Sequence, residues 1–162
     1  MFRDRGLRLY AVLQQVRPLV LNSARVVETS LKPLGLTVGM RAVLEVLAAT
    51  GPATVPATGE RLDLPRQGVQ RHVNDLIEGN HVESRANPGH RRSVLIALTD
   101  TGSDLIRRIN DDERRHLSHM AAECTAQEIA AAHKVLQALN RDIRLRAVHL
   151  HQRRGDTHDQ RP

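Results

Sequence analysis

Residues 62–83 read Leu-Asp-Leu-Pro-Arg-Gln-Gly-Val-Gln-Arg-His-Val-Asn-Asp-Leu-Ile-Glu-Gly-Asn-His-Val-Glu. Asp63-Leu64 forms a tight connection, and the fixed φ of Pro65 suits the first position of a helix. From Pro65 to about Glu78, helical spacing puts Val69, Val73, Leu76 and Ile77 on one side and Arg66, Gln67, Gln70, Arg71 and Asn74 on the other. The first side needs a core, and the second is rich in hydrogen-bonding groups. Gly79-Asn80 tolerates the left-handed backbone that ends a helix.

Working backwards, Thr54 followed by Pro56 opens a short helix reaching about Leu62, so two short helices are joined by a brief turn. Before that, Thr37 is an N-cap for a helix that turns Val43, Leu44 and Leu47 inward and stops at Gly51-Pro52. From Leu7 to about Leu31 the residues Leu9, Leu13, Val16, Val20, Ala24, Val27 and Leu31 recur every three or four positions, as one face of a long helix requires. Pro18 should bend that helix or mark a restart, and Lys32-Pro33-Leu34-Gly35 breaks it.

Working forwards, His81–Arg85 and Ser93–Leu98 read as two strands around a tip that carries Arg91 and Arg92, with Val94, Ile96 and Leu98 alternating against Ser93, Leu95 and Ala97. A fifth helix runs from Thr101 through Leu105, Ile109, Arg114 and Met120. Thr125-Ala-Gln-Glu128 is a capping-box pattern that opens a sixth, carrying Ile129, Leu136, Leu139, Ile143 and Val148. The segment from His151 to Pro162 is polar, lacks an apolar face and reads as a flexible tail.

Composition agrees with a packed helical body. Hydrophobic residues are 40% and charged residues 26% of the 162, but aromatics only 1%, so the core is built from Leu, Val, Ile and Ala. The net charge of +6 favours a polyanionic partner, because each neutralised phosphate releases counterions. Lys32 and Lys134 are the only lysines among 24 basic residues, and arginine supplies a rigid fork for guanine edges and phosphates. The single Cys124 excludes an intramolecular disulfide framework and fits the cytoplasm. No run of about 18 apolar residues appears, so no membrane span is expected.

Helix, helix, turn, helix, hairpin is the order of a winged helix, whose second short helix reads the major groove. The stretch 62–83 resembles the recognition segment of the MarR family. Residues 87–102, Asn-Pro-Gly-His-Arg-Arg-Ser-Val-Leu-Ile-Ala-Leu-Thr-Asp-Thr-Gly, are similar to that family's wing, where an acidic-Pro-x-acidic-Arg-Arg tip leads to a strand ending Leu-Thr-x-x-Gly. The resemblance implies a mainly α fold with a small β-hairpin wing and long N- and C-terminal dimerisation helices. It divides the chain into an N-terminal dimerisation helix (1–34), a DNA-binding lobe (35–100), C-terminal dimerisation helices (101–150) and the tail. It further implies a homodimeric transcription regulator, expected to be a repressor, that binds double-stranded DNA at an inverted repeat and responds to a small-molecule effector. With so few aromatic side chains, an effector pocket here would be lined by aliphatic residues and arginine.

By position, Arg66, Gln67, Gln70 and Arg71 are the candidates for base and phosphate contacts, with Asn74 at the edge. Arg91 or Arg92 should enter the minor groove while the other folds back onto the wing. Thr54, Arg61 and Arg85 are lesser candidates for phosphate. The chain departs from the family pattern in four places. Pro65 and Gly68 stand where hydroxyl residues are usual, removing two contacts to phosphate, and Asn87 and His90 stand where acidic residues brace the wing arginines, so a more basic and less rigidly held tip is expected.

Three competing readings stand beside this one. His116, His119 and Cys124 carry zinc-ligand chemistry, but metal-sensing members of the family also draw acidic and His ligands from the first two helices, and Thr37–Arg41 offers none. A helical dimeric scaffold without DNA binding is the second. The third is a small hydrolase, against which stands the lack of any nucleophile elbow, phosphate-cradling glycine loop or paired carboxylates. No cofactor is expected, and Cys124 does not match the position of the reactive thiol in peroxide-sensing members.

Overall fold

The computed structural model describes the backbone of residues 2–90 and 92–156 and the side chains of 4–90 and 92–147. The elements in order are α1 (Phe2–Leu31), a 3-10 turn (Lys32–Leu34), α2 (Val38–Thr50), α3 (Val55–Leu62), α4 (Arg66–Glu78), β1 (Val82–Ala86), β2 (Val94–Leu98), α5 (Asp100–Leu117) and α6 (Ala126–Asp156). The mainly α architecture with a single β-hairpin is the one the sequence predicts. The chain divides into two compact units, Met1–Asp112 and Glu113–Pro162.

In the first unit α1 passes through Pro18 without a restart and ends at Leu31, and the 3-10 turn that follows stops at Gly35, whose φ of 68° lies in the left-handed region. Thr37 Oγ1 then accepts the Met40 amide at 3.1 Å and starts α2, which buries Met40, Val43, Leu44 and Leu47 at helical spacing. Thr54 Oγ1 accepts the Ala57 amide at 3.3 Å and starts α3. Val69, Val73 and Leu76 form the inner face of α4. Ile77, expected on that face, is 41% exposed, because it lies one position past the inward ridge of Val69, Val73 and Leu76.

The hairpin pairs Val82 with Leu98 through to Ala86 with Val94. Ala53, between α2 and α3, adds a one-residue third strand, its amide donating to the Ile96 carbonyl at 3.1 Å and its carbonyl accepting the Ile96 amide at 2.8 Å. On β2 the buried residues are the adjacent Ile96 and Ala97, so burial there does not follow the simple alternation expected. One core unites Leu31 of α1, the inner faces of α2 and α4, Val82 and Ile96 of the hairpin, and Leu105 and Ile106 of α5. Each large aliphatic side chain taken into it contributes roughly 1.5–3 kcal/mol.

In the second unit α5 ends at Leu117, so Met120, expected within that helix, lies in the following turn, where Ala121 has a φ of 49°. A reciprocal capping box starts α6: the Thr125 amide donates to Glu128 Oε2 at 2.8 Å and the Glu128 amide to Thr125 Oγ1 at 3.3 Å. The same carboxylate accepts the Thr125 hydroxyl, and these bonds, the amide's first, hold the Glu128 carboxyl below its ordinary value. The helix continues to Asp156, past His151 where a tail was expected. Its last residues contain no proline and include good helix formers, and propagating a helix costs far less than starting one. Residues 157–162 of that expected tail, and the side chain of Val148, lie outside the described residues.

Candidate nucleic-acid interface

The candidate surface begins at the turn between α3 and α4. Asp63 adopts a left-handed conformation with φ 55°, its amide donates to the Gly59 carbonyl, and the Leu64 amide donates to the same oxygen at 3.0 Å. A β-carbon on Gly59 would sit 3.0 Å from the Leu64 carbonyl oxygen, so glycine here lets α3 approach the turn closely. Pro65 occupies the N-cap rather than the first helical position, and α4 starts at Arg66. Among the described residues no side chain caps this end. The Gly68 amide donates to the Pro65 carbonyl at 2.9 Å, and the amides of Arg66 and Gln67 before it are left for water or an anion.

Arg66, Gln67, Gln70, Arg71 and Asn74 are all exposed and line one open concavity. They form two rows four residues apart, 66-70-74 and 67-71, which is how one helix face displays its side chains. Gln70 Nε2 donates to Asn74 Oδ1 at 2.9 Å, so these two amides form one unit on the surface. Charge is polarised along the helix: both arginines lie in its first half, Asp75 and Glu78 toward its end. Gly68 leaves open space, with nothing among the described residues within 4 Å of a β-carbon built on it.

Behind this face, the His72 ring packs on Gly39 of α2, where a β-carbon would fall 2.6 Å from its Cε1. Its Nδ1 is buried without a hydrogen-bond partner among the described residues. The pairing brings the backbones of α2 and α4 close together, and neither residue stands out in the sequence.

In the wing, Arg92 is exposed and, among the described residues, carries no ion pair; Arg91 lies outside the described residues. The tip is better held than expected. Asn87 Nδ2 donates to Ser93 Oγ at 2.7 Å, Asn87 Oδ1 accepts the Gly89 amide at 3.0 Å, and Ser93 Oγ donates to the His90 carbonyl at 3.1 Å. A neutral amide thus closes the loop without an acidic residue drawing the guanidinium back. Arg85 is tied to Glu83 at 2.6 Å, Thr54 is used as a cap, and Arg61 remains exposed on α3.

At its base the wing is fastened to the end of α4. Thr99 donates through its amide to the His81 carbonyl at 3.1 Å and through Oγ1 to the Asn80 carbonyl at 2.8 Å, while Oγ1 accepts the Gly102 amide at 3.0 Å. One threonine caps α5 and anchors the turn after α4. His116 lies in the last turn of α5, whereas His119 and the exposed Cys124 lie in the turn beyond it. Among the described residues no group of three or more His, Cys, Asp or Glu side chains is arranged to hold a metal ion.

Comparison with known proteins agrees with this geometry. The sequence profile of the MarR family matches residues 34–93. Uncharacterized proteins of Mycobacterium bovis and Mycobacterium tuberculosis are 45% identical over 58 residues, covering 36% of this chain. The match spans only 41% of the length of these curated relatives. Among solved structures, a MarR family transcription regulator shares 35% identity with a TM-score of 0.79, over 89% of this chain and 95% of its own. FabT of Streptococcus pneumoniae, solved in complex with DNA, has a TM-score of 0.72 at 17% identity, over 83% of this chain and 96% of its own, a likeness of fold.

Proposed function

Since this chain belongs to the MarR family of winged helix-turn-helix transcription regulators, we propose that it binds duplex DNA sequence-specifically as a homodimer and represses the genes beside an inverted-repeat operator. The observation that carries this reading is the open polar face of α4, with five side chains on one concavity beside an uncapped helix start. Arg66 and Arg71 offer forks for guanine edges or phosphate, Gln67 and Gln70 offer amides for base edges, and Asn74 stands at the margin. A wing arginine, Arg91 or Arg92, enters the adjacent minor groove, where narrow walls concentrate negative potential. The net charge of +6 and the DNA-bound state of FabT, which has the same fold, support a duplex as the partner.

Dimerisation is supported by uncovered apolar side chains. Leu7, Tyr10, Leu19, Leu21 and Val26 on α1 and Ile129, Ile143 and Leu145 on α6 are more than half exposed, and a second copy would take such surface out of water. In this reading residues 1–34 and 101–150 supply the dimer interface and 35–100 the DNA-binding lobe. A small effector bound among aliphatic and arginine side chains modulates affinity. The protein acts in the cytoplasm, without a cofactor and without a catalytic role. Among the described residues no single helix is long and apolar enough to cross a membrane.

Genomic footprinting with the purified protein tests the reading. Protected fragments are expected to share an inverted repeat with half-sites about one helical turn apart. Fragments that share no sequence, or no protection at all, would overturn it.

A further inference from the structure

We infer that Asn74 is a positioning residue that makes Gln70 selective for adenine, by taking one of the two amide hydrogens of Gln70. The inference rests on the reading of α4 as the recognition helix and names what one of its side chains reads. Gln70 and Asn74 lie four residues apart on the exposed face, and Gln70 Nε2 donates to Asn74 Oδ1 at 2.9 Å.

A glutamine amide carries two donor hydrogens and one acceptor oxygen. With one hydrogen held by Asn74, Gln70 presents one remaining donor and its carbonyl oxygen. That pair matches adenine in the major groove, where N7 accepts and the N6 amino group donates. Guanine presents N7 and O6, both acceptors, and calls for two donors that a Gln70 bound to Asn74 no longer has free. Cytosine and thymine each engage only one of the two groups. Asn74 in turn keeps its Nδ2 hydrogens as donors, suited to a phosphate or a carbonyl acceptor. The bond also fixes the rotamers of a flexible side chain before DNA arrives, lowering the ordering cost of the contact.

The pair sits among groups that do not compete with it. Arg66 precedes Gln70 by one turn in the same row, and Gln67 and Arg71 form the neighbouring row. Among the described residues no acidic side chain lines the concavity.

The test is selection from a randomised duplex library by the full-length protein, with Gln70→Ala, Asn74→Ala and Asn74→Asp compared. The wild type is expected to require adenine at one position of each half-site, and Gln70→Ala to lose that requirement alone. Asn74→Ala frees both hydrogens of Gln70 for the two acceptors of guanine and should reduce the adenine preference by about fivefold or more, the low end of what one bidentate pair discriminates. Asn74→Asp keeps the acceptor oxygen and should restore the preference, although its charge lowers affinity for every sequence alike. A merely structural Asn74 would change affinity without changing preference, and that result overturns the inference. So does a guanine preference at the Gln70 position, which the reversed amide pair would give. A wild type that retains no duplex overturns the recognition-helix reading and this inference with it, whereas a sequence-specific wild type whose preferences ignore Asn74 overturns the inference alone.

Discussion

Gly102, in the first turn of α5, lies against the main chain of His81, and a β-carbon there would overlap its carbonyl oxygen and fall 2.8 Å from its carbonyl carbon. The contact explains the glycine of the Leu98-Thr99-Asp100-Thr101-Gly102 run. Thr99 bonds the backbone at both Asn80 and His81, and only a residue without a side chain lets α5 come near enough for those bonds to form. The end of α4 and the start of α5 are therefore fastened as one piece.

Gly102→Ala is accordingly expected to destabilise the fold. The obstacle is backbone, which cannot rotate away, so the cost should be about 1–3 kcal/mol even though alanine is the better helix former. Urea denaturation checks it, with a midpoint well below that of the wild type.

Gly68→Ala should do the opposite. Among the described residues nothing lies within 4 Å of the new β-carbon, so the gain in helix propensity, about 0.5–1 kcal/mol, is expected undiminished. If Gly68 is simply tolerated, duplex affinity stays within about twofold of the wild type, measured by titration. A large loss of affinity would show that the backbone at Gly68 approaches DNA closely.

The contrast between these glycines shows what the sequence makes legible. Helix faces, the Thr37 and Thr54 caps, the turn at Asp63 and the Thr125–Glu128 box are readable from the chain alone, because periodicity and capping are local properties. The Ala53 bridge to Ile96, the seat of His72 on Gly39 and the close approach at Gly102 depend on segments far apart in sequence and leave no periodic trace. At the wing tip, the missing acidic charges point to a looser loop, whereas the hydrogen bonds of the Asn87 amide to Ser93 and Gly89 supply the brace in their place. On α4 the five polar candidates are legible as a face, while the bond between Gln70 and Asn74 requires the side-chain geometry.

In the wing, Arg92→Ala and Asn87→Ala should separate charge from placement. Removing the guanidinium is expected to reduce the slope of log affinity against log salt by about 1, the amount one phosphate neutralised by one arginine supplies. Asn87→Ala keeps the charge but removes the bonds to Ser93 and Gly89, so it should weaken binding with that slope unchanged. Salt titration of duplex binding distinguishes the two.

The start of α6 should be sensitive to acid. Glu128 is held below its ordinary value by the Thr125 amide and hydroxyl, so its ionised form is favoured in the folded chain. Its contribution is then fully present above the ordinary carboxylate range and is lost as pH falls through the lowered folded value. Far-ultraviolet circular dichroism of wild type and Glu128→Gln across an acid titration checks this. Any helicity advantage of the wild type at neutral pH should disappear in acid, and an advantage that persisted there would contradict the assignment.

The most direct measurement is the salt dependence of binding to a fluorescently labelled duplex by the wild type and by Arg66→Ala combined with Arg71→Ala. The wild type is expected to bind at low ionic strength and to weaken linearly in log–log form as salt rises. The double variant should bind more weakly, with a slope smaller by about 2. No duplex binding at low ionic strength, or affinity unaffected by removing both arginines from the concave face of α4, would contradict the account.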